Sequence, residues 1–97
     1  MRIYISGAIT GTSGYLYRFA EVEKMFTNKG FIVINPANVC SKLPNSLSHE
    51  EYMHICLPML DLCDLIYMIP GWEESKGARR ELGYAIRRGI RRVRDVD

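Results

Sequence analysis

Three short apolar runs constrain this chain most. Each ends in a chain-breaking pair, and a helix-period segment separates it from the next. Arg2 to Ser6 is rich in Ile and Tyr and runs into Gly7. Phe31 to Ile34 stops at Asn35-Pro36, and Leu65 to Ile69 stops at Pro70-Gly71. Short runs of this composition read as strands. Phe31 to Ile34 is wholly apolar, which predicts a strand buried on both faces.

The segments between them carry helical spacing. Tyr15 to Asn28 places Leu16, Phe19, Ala20, Val22, Met25 and Phe26 on one face, and Gly30 follows as a C-cap. Residues 36–47, with two prolines, read as a loop. Ser48 opens a second helix, with Glu51 three residues later as a capping box. Pro58 predicts a kink in it, and the end falls near Leu62 or Cys63. A third helix is predicted from Ser75 to Arg88 with Gly89 as C-cap. Ile90 to Val93 reads as a fourth strand. The order βαβαβαβ implies parallel strands with helices on both faces, in one domain over residues 1–97. Ligands of such sheets bind beyond the carboxyl ends of the strands. Those ends are Ser6 to Gly11, Asn35-Pro36, and Pro70 to Gly77.

Composition narrows the class. Of 97 residues, 47% are hydrophobic and 25% charged, which fits a globular domain and excludes disorder, collagen and coiled coil. No apolar run nears the ~20 residues of a membrane span, so no membrane partner is expected. The N-terminus lacks a long apolar stretch, so no secretory signal is expected either. Cys40, Cys56 and Cys63 form no close ligand pair. They fit buried small hydrophobes in a reduced, cytoplasmic compartment. His49 and His54 are five apart and miss the i, i+4 spacing of a helical metal pair. No metal and no cofactor is expected. Seven of the thirteen basic residues lie between Arg79 and Arg94. Favourable charge at a helix C-terminus explains them. A polyanion patch is the alternative, but no aromatic residue interleaves, so nucleic acid is not the expected partner.

Two segments carry candidate chemistry. Ser6 to Gly14 holds three glycines after the first strand. It is neither G-x-G-x-x-G nor a Walker A loop, so a plain turn and an anion-binding turn both stay open. Gly71 to Glu81 follows the third strand, with Ser75 as N-cap. Glu81 stands three residues after Ala78 and four before Ala85, on the apolar stripe of its helix. A carboxylate facing inward costs several kcal/mol unless paired or functional. An ion pair with an arginine and a reactive role both fit. Asp64 reads as a turn residue at the opposite end of the sheet, and Asp61 lies near a helix end. Trp72 is either a core lid or a surface for stacking a ring.

Several motifs together carry a resemblance. Tyr4-Ile5-Ser6-Gly7-Ala8-Ile9-Thr10-Gly11, Cys63-Asp64-Leu65-Ile66 and Glu81-Leu82-Gly83-Tyr84-Ala85 resemble the nucleoside 2-deoxyribosyltransferase superfamily. Trp72-Glu73-Glu74-Ser75-Lys76-Gly77-Ala78 is similar to its small uncharacterised branch, the DUF4406 proteins. The resemblance implies an α/β, flavodoxin-like or Rossmann-like three-layer sandwich. We expect a parallel sheet of four or five strands in the order 2-1-3-4. It implies cleavage or transfer at the N-glycosidic bond of a (deoxy)nucleoside or its 5′-monophosphate, as a hydrolase or a glycosyltransferase. By resemblance Glu81 is the nucleophile, Tyr4 orients it, and Asp61 is the nearest carboxylate for an assisting acid. Ser6, Gly7, Ile9, Thr10, Gly11, Ser75 and Gly77 would hold sugar or phosphate, and Trp72 would stack on the base.

Two positions depart from the family pattern. Cys56, eight residues before Asp64, stands where the family has an assisting Asp, and Thr10 stands where relatives carry an Arg. A non-catalytic nucleotide-binding module is therefore the second reading. A scaffold using its arginines on a polyanion is the third. A small parallel sheet gains core by association, so a homo-oligomer, dimer or larger, is expected.

Overall fold

A computed structural model of the chain describes residues 1–9 and 13–94. Four strands form one sheet in the order β2-β1-β3-β4, with every neighbouring pair parallel. They are β1 (Arg2–Ser6), β2 (Ile32–Ile34), β3 (Leu65–Met68) and β4 (Arg91–Val93). The helices are α1 (Tyr15–Asn28), α2 (Pro36–Val39), α3 (His49–Asp61) and α4 (Lys76–Arg87). The α/β architecture and the strand order are those expected.

Side chains alternate across each strand, and this sorts the core into two layers. Ile3, Ile5 and Leu65 face Phe19 and Phe26 of α1. Tyr4, Ile66 and Met68 face Leu60 of α3 and Ala78 and Ala85 of α4. Tyr4 pairs in register with Ile34 on one side and Ile66 on the other, so it lies at the middle of the sheet. Ser6, two residues on, shares its face at the carboxyl end of β1.

Helix boundaries follow local chemistry. Ser48 and Glu51 form the expected reciprocal cap, with bonds of 3.1 and 2.8 Å. Gly30 and Gly89 end α1 and α4 with φ of 93° and 74°, where a Cβ would be strained. The helix α3 runs on past Pro58 to Asp61.

Two expectations need correction. The strand at Phe31 to Ile34 is not buried on both faces. It is the sheet edge, limited to Ile32–Ile34, and Ile32 is 63% exposed. An apolar run signals a strand but not its place in the sheet. Residues 36–47 are not all loop. They begin with α2 and a 3₁₀ turn at Cys40–Lys42. The Asn35 side chain accepts the Asn38 N–H at 3.2 Å. Pro36 at the first helical position loses no bond, since that N–H would be unpaired anyway.

Candidate active site

The strand and helix periods meet at one point. Tyr4 and Ser6 lie two apart on β1, and Glu81 lies on the inward stripe of α4. Tyr4 Oη donates to Glu81 Oε2 and Ser6 Oγ donates to Glu81 Oε1, each at 2.6 Å. Each carboxyl oxygen thus has one hydroxyl donor. No arginine pairs with Glu81 among the described residues, so the ion-pair explanation of its inward position fails. Both donors are buried, Tyr4 fully and Ser6 to 1% exposure, and Glu81 is 6% exposed.

Burial pushes the Glu81 carboxyl up to about 7, against the downward pull of the Ser6 and Tyr4 hydroxyls. Desolvation dominates, with Glu81's own charge next, in raising the Tyr4 phenol, so it stays a donor. The carboxyl opens onto a cavity of about 170 Å³ at the carboxyl end of β1. Of the residues expected to bind substrate, Ser6, Gly7, Ile9, Ser75 and Gly77 line this cavity with Glu81. Thr10 and Gly11 lie outside the described residues. A second hollow of about 240 Å³ adjoins it, with Ile9, Leu47 and Tyr52 as common wall.

Gly7 forms part of the floor. A Cβ there would stand 3.0 Å from Ile69 Cβ and 3.4 Å from Phe19 Cζ. Gly7→Ala is therefore expected to overpack the site and to cost about 1–3 kcal/mol. Thermal melting checks this, at about 4–8 °C per kcal/mol for a domain of this size. An unchanged midpoint would show that β1 and the segment after β3 can part freely.

The structure does not bring Asp61 or Trp72 into the cavity. Asp61 ends α3 at the opposite, amino-terminal edge of the sheet. It accepts from Tyr84 Oη at 2.6 Å and pairs with Arg88 at 3.0 Å. Trp72 opens a 3₁₀ turn, Trp72–Glu74, and packs on the core beside β4. The Arg92 guanidinium lies 5.1 Å from its ring centroid. As expected, Asp64 sits at the amino-terminal edge and accepts the Arg2 N–H at 3.0 Å.

Two residues of the cavity wall were missed by motif reading. His49 and Tyr52 line the cavity from α3. Cys56, one turn below Tyr52, is fully buried beside the Tyr4 and Tyr52 phenols. Burial, with the Glu81 charge, pushes its thiol up to about 12, so it is a neutral packing group. The signal was the i, i+3, i+7 spacing of 49, 52 and 56, which places all three on one face of a helix.

The described residues hold no group of three or more His, Cys, Asp or Glu that could bind a metal ion. They form no helix long and apolar enough to cross a membrane. A family model described as a domain of unknown function, DUF4406, matches residues 1–93. No curated protein and no solved structure gives a significant match.

Proposed function

The chain belongs to the DUF4406 family, and on that premise we propose that it cleaves or transfers the N-glycosidic bond of a (deoxy)nucleoside or nucleoside 5′-monophosphate through Glu81. One observation carries the reading. Glu81 is a buried carboxyl with no cation partner among the described residues, held by the Tyr4 and Ser6 hydroxyls at the floor of a cavity. A structural acid in such a place is usually ion-paired. This one is oriented and open to a ligand instead.

The chemistry follows from the geometry. The Tyr4 and Ser6 bonds fix both oxygens of a carboxyl that lines the cavity. The ionised carboxylate attacks C1′ and the base departs, which leaves a glycosyl ester. Water then completes hydrolysis, or a second base completes transfer. Gly7, Ile9, Ser75 and Gly77 are placed to hold the sugar and its 5′ substituent. The adjoining hollow, walled by Tyr52 and Leu47, offers room for the base in place of Trp72.

The test is base release from a panel of ribo- and deoxyribonucleosides and their 5′-monophosphates, with and without a second free base, resolved by chromatography. Release from at least one substrate is expected, and a new nucleoside would mark a transferase. Silence across the panel overturns the assignment. Cys56 favours a second reading, a non-catalytic nucleotide-binding module, because its neutral thiol supplies no assisting acid. That reading expects calorimetric binding of a nucleoside monophosphate with no base released.

A further inference from the structure

Resting on the N-glycosidase reading above, we propose that His49 is the acid–base residue of the reaction, donating a proton to the departing base. Nucleobases leave poorly as anions, so displacement at C1′ calls for a placed proton donor. Among the described residues that line the cavity, Glu81, His49 and Tyr52 are the ionisable ones. Glu81 is committed to carbon. The Tyr52 phenol lies in contact with the Cys56 and Cys40 thiols, and burial raises it. Asp61 is at the other end of the sheet, and the fully buried Cys56 does not line the cavity.

The position of His49 suits the role. It is the first residue of α3, and the Ser48–Glu51 reciprocal cap pins the backbone before it. Its imidazole lies over Gly77, where a Cβ would stand 3.5 Å from His49 Cε1. Gly77 and Glu81 are one turn apart on α4, about 6 Å along the helix axis.

The proton count closes over two steps. In the first, the C1′–N bond breaks as the bond from Glu81 oxygen to C1′ forms. The electron pair goes to the base nitrogen, which takes the proton of the His49 imidazolium. In the second, water attacks C1′ and the Glu81 carboxylate leaves. The neutral imidazole takes the water proton and is restored.

The test compares leaving groups. Wild type, His49→Gln and Glu81→Gln are assayed on two substrates with the same sugar, one carrying adenine and one carrying 4-nitrophenol. His49→Gln is expected to lose about 10²–10⁴-fold on the adenine substrate. Its burst of nitrophenolate should stay near the wild-type rate, because that phenolate leaves without a proton. Glu81→Gln should be inactive on both. An equal loss on both substrates would make His49 merely structural and overturn the proposal. No loss on either would overturn it too. A wild type silent on both substrates would instead sink the N-glycosidase reading and His49's role with it.

Discussion

Replacing Glu81 by Gln is expected to end base release and, at the same time, to raise the melting temperature. The first effect follows from chemistry. A carboxamide cannot form the glycosyl ester, and losses on removing a nucleophile reach about 10⁴-fold or more. The second follows from burial. The wild-type carboxyl is lifted from 4.5 to about 7, which corresponds to roughly 3 kcal/mol of strain in the ionised, folded state. Gln keeps the shape, accepts one hydroxyl through its oxygen and offers its amide N–H to the other.

The sign of the pH dependence is fixed by linkage. Between pH 4.5 and about 7 the folded carboxyl still holds its proton while the unfolded one has lost it. The folded state binds more protons there, so wild-type stability falls as pH rises through that window, then levels off. The variant lacks this loss. Its melting point should match wild type near pH 4.5 and exceed it at pH 8 by about 4–8 °C for each kcal/mol recovered. Circular dichroism melts at the two pH values check this. A variant that melts lower at pH 8 would mean the Tyr4 and Ser6 bonds to the carboxylate outweigh its burial. A native site that destabilises its own fold is the usual mark of function.

Much of this arrangement was legible in the sequence because it rests on local periods. Glu81 between Ala78 and Ala85 pointed inward by helical spacing alone. Tyr4 and Ser6 shared a face by strand alternation. The capping box at Ser48 set where α3 begins. Other features depend on long-range geometry that no local period carries. Asp61 was the carboxylate offered for an assisting acid, but α3 runs antiparallel to the strands and delivers its last turn to the wrong edge. Trp72 follows β3 as the site loop should, yet the fourth strand offers it Arg92 and a core to cover. His49 and Tyr52 entered the site because α3 begins beside the cavity, a placement no local period carries. The edge position of β2 was likewise invisible in Phe31 to Ile34, since burial there is decided by strand order.

Tyr4→Phe should separate the two hydroxyls that hold Glu81. The Tyr4 bond is buried, 2.6 Å long and made to a group that must ionise to react. A hydrogen bond to a charged acceptor is worth about 1.5–3 kcal/mol, or about one to two pH units. Among the described residues, removing it leaves Ser6 to favour the carboxylate, against unchanged burial. The Glu81 carboxyl should then rise above about 7, and the pH at which activity appears should move up by that one to two units. At pH 7 the variant is expected to be about 5–50-fold slower, with part of the loss regained in alkaline buffer as the carboxylate forms. Its stability at pH 8 should fall below wild type, while near pH 4.5 the two should melt more nearly together, because the folded carboxyl is protonated in both. A pH–rate profile distinguishes this from simple damage to the site. A uniform drop with an unmoved midpoint would show that Tyr4 only packs, and that Ser6 and the cavity set the charge on Glu81. A shifted midpoint would tie the reactive state of Glu81 to a residue at the centre of the sheet. The hydroxyl at position 4 would then tune the site from the core, where the cross-strand register with Ile34 and Ile66 holds it in place.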